Sequence, residues 1–479
     1  MITFGTNGFR ATMSDGFTKS NVQKITQALC NIIKKEKSTK PVLIGYDRRF
    51  MSDYFAKWCA EVLAGNKIKT KLYNKPIPTP AVYFGVMKEN LDYGIMITAS
   101  HNPYIYNGYK ITTKGGYDAN EEFTQRLQIL SNKISRVKSL NYELAVKQNL
   151  ITEYDNSIDY IKNLDKFVSK NLKDNQTKIL FNAMYGVTAE PAKLFAKHFK
   201  LENMDIINYD EDPYFHHTLP CPNEENLEEF KKQVIRGRYK IGLACDADGD
   251  RLGIIDEQGN YYNNNIIMAI IYYYLNKYRN ITGDIVRTYS TSTILDNLAE
   301  KFDCKCYETP IGIKWVTAKM KETNALLGGE SSGGLTMRDY TPSKDSMFST
   351  ALFLDAITTI KKPISKIVEE VKSYAEYIST YIEGNLTVTN KKKFIKLLEK
   401  KSPNFSYKPS NIIRDDGVKY LFEGGNWILI RFSGTENLLR YYIEFQTEIE
   451  CERNIKAITT FVNNFNKIRK INNKQQKKF

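Results

Sequence analysis

Tyr93-Gly94-Ile95-Met96-Ile97, followed by Thr98-Ala99-Ser100-His101-Asn102-Pro103, decides how the N-terminal third of the chain is read. The first five residues form a short apolar run bounded by a turn signal, which predicts a buried strand. The next six are mostly small or polar and close on Asn-Pro, which predicts a turn. Ser100 is therefore expected on a loop at a strand's C-terminal end, where open α/β sheets place their ligands. Working outward, Pro41 to Tyr46 (PVLIGY) reads as another buried strand. Asn21 to Lys37 carries Val22, Ile25, Ala28, Leu29, Ile32 and Ile33 at helical spacing. Strands alternating with helices of this length predict parallel α/β units.

The same alternation restarts at Lys178 (KILFNAM), at Lys240 (KIGLAC), and between Gly283 and Met320, where IVRTY precedes a helical STILDNLAEKF. The C-terminal part differs. Leu386–Val388, Trp427–Phe432 and Leu439–Phe445 read as strands, the last two with no helix between them. That pattern predicts an antiparallel α+β domain. Polar joints near Ser131–Tyr154, Asp256–Asn265 and Lys361–Tyr377 place the boundaries. The expected organisation is an α/β domain over 1–145 with the Ser100 loop, a second over 146–256, a third over 257–370, and an α+β domain over 371–465. A basic, polar tail over 466–479 is expected to fray.

Composition narrows the class. Hydrophobic residues make up 42% of 479, enough for several globular cores. The longest apolar run, Ile266 to Leu275, is short of the roughly 20 residues a bilayer span needs. MITFGTNGFR lacks the basic region and apolar stretch of a signal peptide, so a cytoplasmic protein with no membrane partner is expected. The seven cysteines are scattered and include no C-x-x-C, which predicts free thiols rather than a disulfide framework or a zinc site. The net charge of +15 is spread along the chain without an aromatic platform or base-reading motif, so no nucleic-acid partner is expected.

Three further stretches carry chemistry. Asp246-Ala247-Asp248-Gly249-Asp250-Arg251 follows the strand-like Ile241 to Cys245. Three carboxylates at alternate positions resist joint ionisation unless a cation joins them, and oxygen ligands suit a hard cation such as magnesium. By spacing alone an EF-hand loop or a solvated acidic turn stays open. Arg251, however, stands where an EF-hand needs Gly, and a strand leads in. Gly329-Glu330-Ser331-Ser332-Gly333-Gly334 matches the hydrolase elbow by letter, but all four histidines precede Ser331, against that fold's chain order. Such a loop suits sugar hydroxyls, or is a flexible turn. Arg431-Phe432-Ser433-Gly434-Thr435-Glu436, with Arg440, offers bidentate cations and an approachable backbone for a phosphate; a hairpin turn stays open. His101 beside Ser100 invites a Ser-His reading, yet neighbours in an extended chain point in opposite directions.

Taken together and in this order, the four motifs resemble the α-D-phosphohexomutase superfamily, the phosphoglucomutase/phosphomannomutase group, from Phe4-Gly5-Thr6 to about Glu444. The resemblance implies a four-domain, heart-shaped α/β architecture. Three α/β domains with mixed sheets and a C-terminal α+β domain with an antiparallel sheet each give one loop to a shared cleft. It implies a phosphorylated Ser100, and magnesium held by Asp246, Asp248, Asp250 and the Ser100 phosphate. Lys110 is implied as general acid/base, with Arg10, His101 and Arg251 completing the catalytic set. Arg10 and the metal are expected to depress the Lys110 ammonium. Thr309, Gly312, Lys314, Glu330 and Ser332 are implied as sugar contacts, and Arg431, Ser433, Gly434, Thr435 and Arg440 as the distal phosphate cradle. Asp47-Arg48-Arg49 is similar to a supporting segment. Asn7, Ala11, Phe432 and Ser346 depart from the family pattern.

The implied activity interconverts the 1- and 6-phosphates of glucose, mannose or both, with hexose 1,6-bisphosphate as intermediate and activator. A phosphoglucosamine mutase is the alternative, although Gly334 stands where amino-sugar members usually carry His. A sugar-phosphate phosphatase is a further one. The implied partners are small sugar phosphates, and the chain is expected as a monomer or homodimer.

Overall fold

Period-two and period-3.6 apolar patterns resolve into four sheets in a computed structural model that describes residues 1–5, 8–432 and 438–476. The first sheet runs Phe9–Thr12, Tyr106–Thr113, Tyr93–Ile97, Val42–Tyr46, Thr70–Tyr73, Ile151–Tyr154, with Tyr117–Asp118 on the flank of Tyr106–Thr113. Its centre is parallel, whereas Tyr106–Thr113 pairs antiparallel with both neighbours in that order, so the sheet is mixed. Tyr93–Ile97 is buried throughout, as a strand covered on both faces must be. The helix Lys19–Lys35 packs its apolar stripe on this sheet, and Thr18 caps it by accepting from the Asn21 amide.

The second sheet is mixed and runs Tyr261–Tyr262, Leu252–Ile255, Ile241–Cys245, Ile179–Asn182, Met204–Ile207. The third, also mixed, runs Cys306–Thr309, Ile285–Thr288, Leu327–Gly329, Leu335–Met337. The fourth is antiparallel throughout: Thr380–Thr387, Leu438–Phe445, Trp427–Phe432, Val418–Leu421, Asn411–Ile413. One apolar cluster runs from Leu43 and Tyr83 through Phe181 and Leu243 to Tyr274, Phe353 and Val371, so the first three units share a core. The fourth has its own, around Phe394, Ile430 and Ile443. Among the described residues no helix is long and apolar enough to cross a membrane.

Several expectations need correction. Ile151–Tyr154 pairs in parallel with Thr70–Tyr73, so the first sheet reaches past residue 145. The joint expected at Lys361–Tyr377 contains the helix Ile364–Tyr374, with Ile364, Ile367, Val368 and Val371 buried. Its lysines and glutamates hide a stripe at i, i+3, i+4 and i+7. The strand expected over Leu386–Val388 is longer, Thr380–Thr387, because its alternating exposure lowers the local hydrophobicity. The stretch from residue 466, expected as a frayed tail, continues the helix Glu448–Gln476 as far as residue 476. Once a helix is nucleated, each further residue adds a backbone bond at little cost.

Candidate active site

The chain leaves the strand Tyr93–Ile97 and turns sharply at Ser100, whose φ of 53° is left-handed. Hydrogen bonds of three side chains, Thr98, Asp47 and Arg49, hold this unusual backbone. The Ser100 amide donates to Thr98 Oγ1 (2.8 Å), and Thr98 Oγ1 donates to Asp47 Oδ2 (2.6 Å). Arg49, ion-paired with Asp47, donates to the carbonyls of Ser100, Asn102 (2.6 Å), Pro103 (2.9 Å) and Tyr106 (3.1 Å). A planar fork of donors is suited to gathering several carbonyls into one turn. Of Asp47-Arg48-Arg49, Asp47 and Arg49 form a cage around the serine loop, whereas Arg48 donates to the carbonyls of Tyr209 and Asp210. The left-handed turn also overrides the extended-chain expectation for His101, because Ser100 Oγ lies 3.4 Å from His101 Nδ1. Burial, reinforced by Arg251 and Arg10, holds His101 well below its usual range.

The carboxylates come from the loop joining Ile241–Cys245 to Leu252–Ile255. Gly249 makes the turn at φ +72°, where a Cβ would sit 2.8 Å from Thr188 Cγ2. Asp246 Oδ1 accepts from the amides of Asp250 (2.9 Å) and Arg251 (3.0 Å), while its Oδ2 accepts from Ser100 Oγ (2.9 Å). One oxygen each of Asp246, Asp248 and Asp250 lies within 4.8 Å of the others, and all three residues are buried. Among the described residues, Asp248 Oδ1 and Asp250 Oδ1 are buried without a hydrogen-bond partner. A strand-loop-strand carrying three buried carboxylates is neither an EF-hand nor a solvated turn, and oxygens without partners fit a hard divalent cation. Burial, then the charges of Asp250 and Asp248, drives Asp246 well above the usual carboxylate range. Burial also acts on Asp250, but Lys110, Lys344 and Arg251 outweigh it and hold that carboxyl far below.

Lys110 projects from the strand antiparallel to Tyr93–Ile97 and donates to Asp248 Oδ2 (2.6 Å) and Asp250 Oδ2 (3.1 Å). Burial disfavours its charge, but these carboxylates prevail and hold the ammonium above its usual range. Arg10 acts in the expected downward sense, more weakly than these carboxylates. Arg10 donates to Asn102 Oδ1 (2.8 Å) on the serine loop, and Arg251 Nε stands 3.8 Å from Asp250.

Glu330 is buried in the turn before Leu335–Met337, with its carbonyl held by Asn264 Nδ2 (2.6 Å). Ser331 Oγ lies 2.8 Å from Ser290 Oγ, and Ser332 follows in the same turn. Thr309 Oγ1 bonds the Arg287 carbonyl (3.3 Å), and Gly312 at φ 135° caps the helix Ile313–Thr323. Lys314, in that helix's first turn, lies 3.6 Å from Glu121 of the first unit. Lys344 escaped the sequence reading. It joins the sugar-type turn to the metal-type loop, 3.2 Å from Glu330 Oε2 and 3.7 Å from Asp250 Oδ1. Thr79, which donates to Asp248 Oδ2 (2.6 Å), escaped too. The departure Ser346 has a use, because its hydroxyl donates to the Gly249 carbonyl (2.8 Å). Arg431 and Arg440 stand directly opposite on paired strands, an arrangement of like charges that an anion between them would relieve. Ser433, Gly434 and Thr435 lie outside the described residues.

Residues 1–138, 155–259, 263–374 and 383–459 match, in order, domains I, II and III (each alpha/beta/alpha) and the C-terminal domain of the family described as phosphoglucomutase/phosphomannomutase. A phosphoglucomutase/phosphomannomutase of Thermococcus kodakarensis is 28% identical over 452 residues, covering 93% of this chain and 95% of that one. A phosphoglucosamine mutase of Campylobacter curvus is 25% identical over 469 residues, covering 96% and 98%. The crystal structure of a Thermus thermophilus protein named as a phosphomannomutase superposes with a TM-score of 0.84 at 26% identity, covering 96% of this chain and 99% of that one.

Proposed function

Because the chain belongs to the phosphoglucomutase/phosphomannomutase family, and so to the phosphomutases, we propose that it interconverts hexose 1-phosphate and hexose 6-phosphate of glucose, mannose or both. The observation that carries this reading is the Ser100 hydroxyl, 2.9 Å from Asp246 at the edge of a buried carboxylate trio. Ser100 Oγ is the phosphoryl carrier. Asp246, Asp248 and Asp250, with a phosphoserine oxygen, would hold magnesium, which would supply Lewis-acid neutralisation of the phosphoryl charge.

The chain's own residues do the positioning on which phosphoryl transfer depends. Arg49 and Asp47 hold the serine turn, while Arg10 and Arg251 add positive charge around it. Phosphoryl transfer from Ser100 to a sugar hydroxyl breaks the Ser100 Oγ–P bond and forms a sugar O–P bond. The hydroxyl's proton ends on Ser100 Oγ. Lys110 Nζ, which reaches the carboxylates beside Ser100, is the group that carries it. His101 Nδ1 stands beside the same oxygen, 3.4 Å from Oγ. Arg431 and Arg440 hold the distal phosphate, with Glu330, Ser332, Thr309, Gly312 and Lys314 around the sugar. The resulting hexose 1,6-bisphosphate turns end for end, and Ser100 takes back the other phosphate.

A second reading, an amino-sugar phosphate, draws on Glu383. This solvent-facing side chain lies on the strand Thr380–Thr387, accepts from Tyr381 OH (2.9 Å), and has the arginines Arg440 and Arg251 as electrostatic neighbours. A carboxylate so placed could pair with a sugar ammonium, and the Campylobacter curvus relative carries that substrate in its name. The deciding experiment offers glucose, mannose and glucosamine 1-phosphates with magnesium and trace bisphosphate, and reads 6-phosphate and inorganic phosphate. Formation of 6-phosphate without free phosphate is expected. Stoichiometric inorganic phosphate would instead mark a phosphatase.

A further inference from the structure

Asp416 occupies the turn that leads into Val418–Leu421, far in sequence from the cleft loops of the third unit. Its two oxygens serve two units at once. Oδ1 accepts from Arg431 Nε (2.7 Å), and Oδ2 accepts from the Ile311 amide (2.9 Å). Ile311 lies inside Thr309–Lys314, immediately before Gly312 and the helix it caps. The neighbouring Asp415 reinforces the docking by accepting from Tyr289 OH (3.1 Å). Gly417 presses this turn onto the arginine strand. At φ +87°, a Cβ there would stand 2.5 Å from the Ile430 carbonyl and 3.1 Å from Arg431 Cα.

We propose that Asp416 is a positioning residue, which sets the Arg431 guanidinium and the Thr309–Lys314 segment in one fixed relation. An anchor at Nε fixes the plane of the guanidinium and does not use its two terminal nitrogens, the ones that grip phosphate bidentately. The carboxylate also offsets the repulsion between Arg431 and Arg440, which face each other across the strand pair. A small shift of the C-terminal sheet against the sugar segment breaks one of the two bonds. Sugar contact and phosphate grip are therefore set together, which a substrate bound in either of two orientations requires. This inference rests on the reading of Arg431 as a distal phosphate contact.

The test measures KM and kcat with the preferred hexose 1-phosphate for wild type, Asp416→Ala, Asp416→Asn, Arg431→Ala and the Asp416→Ala/Arg431→Ala double variant, with thermal melting of each. Asp416→Ala is expected to raise KM by about tenfold while changing kcat by less than about threefold. Asp416→Asn, which keeps an acceptor but not the charge, should fall between it and wild type. It also supplies the answer if the alanine variant does not fold. The double variant should show a KM close to that of Arg431→Ala alone, because the two effects share one route. The proposal is overturned if Arg431→Ala raises KM and Asp416→Ala does not, or if the two effects multiply independently. An unchanged KM in Arg431→Ala itself would locate the error in the phosphate-cradle reading, and the role of Asp416 would fall with it.

Discussion

Lys110 bonds both Asp248 and Asp250, so its removal bears on stability as well as turnover. Lys110→Met takes away the cation between two buried carboxylates, and unpaired buried charge is costly. Two outcomes are expected. Turnover falls by about 10²–10⁴, the usual worth of a general acid/base. Added magnesium raises the melting temperature more in the variant than in wild type, because a divalent ion then supplies the missing positive charge. Equal shifts in both proteins would contradict the electrostatic account of Lys110. Arg49→Lys keeps one charge but loses the fork that gathers the Ser100, Asn102, Pro103 and Tyr106 carbonyls. Turnover is expected to fall by at least about tenfold, with little change in KM; a normal kcat would show that the cage is dispensable. At this scale much was legible. The carboxylate trio announces itself because alternate residues of one short loop converge. Thr79 was invisible because its partner Asp248 lies 169 residues away, and Lys344 because it joins Glu330 of its own unit to Asp250 of another. For Lys110 the influence of Arg10 was visible, while its two carboxylate contacts exist only in the folded protein.

Among the elements, the helix Ile364–Tyr374 lies where a linker was expected, and it packs on Asn264–Arg279. Ile367 is fully buried, so Ile367→Ala should cost about 2–5 kcal/mol in denaturant unfolding. On the same helix, Glu370 accepts from Tyr273 OH (2.6 Å) and Lys362 Nζ (2.6 Å). Partial burial pushes this carboxyl up, but the hydrogen bonds from Lys362 and Tyr273 prevail and bring it from 4.5 down to about 2. A depressed carboxyl stabilises fully above its unfolded value and loses that contribution as pH falls through its folded one. The stability gap between wild type and Glu370→Gln should therefore be flat above about pH 5 and close between about pH 4.5 and 2. A gap that widened on acidification would refute the assignment. Central strands such as Tyr93–Ile97 and Ile241–Cys245 were readable because burial on both faces leaves unbroken apolar runs, whereas partly exposed strands such as Phe9–Thr12, Ile151–Tyr154 and Cys306–Thr309 were not. The helix was not, because Lys366, Glu369, Glu370 and Lys372 dilute its apolar stripe.

For the whole molecule, the three α/β units share one apolar core, whereas the antiparallel unit meets the third through a separate small apolar cluster, Trp427, Leu429 and Tyr442 with Tyr289 and Ile311, and through polar contacts. Glu444 is the hub of that contact. It is buried and accepts from Trp427 Nε1 (2.6 Å), Tyr377 OH (2.6 Å), Ser292 Oγ (2.8 Å) and the Thr293 amide (3.0 Å). Glu444→Leu would strand these donors, each at about 1–3 kcal/mol. Limited proteolysis of that variant should release the region 383–459 before the rest is cut; uniform cleavage would deny Glu444 this role. The order of four units was legible from the restarts of strand and helix. Their docking was not, since it rests on side chains such as Asp416, Lys419 and Glu444, each of which reads in sequence as an ordinary strand or turn residue.

The whole account turns on phosphate passing through one hydroxyl. The direct measurement incubates the full chain and magnesium with hexose 6-phosphate labelled at phosphorus, quenches within turnovers, and maps the label by peptide mass spectrometry, with Ser100→Ala alongside. Label on Ser100 in wild type, with loss of both label and isomerisation in the variant, is the expected result. Isomerisation that proceeds at the normal rate in Ser100→Ala, or with no covalent phosphate in wild type, would contradict it.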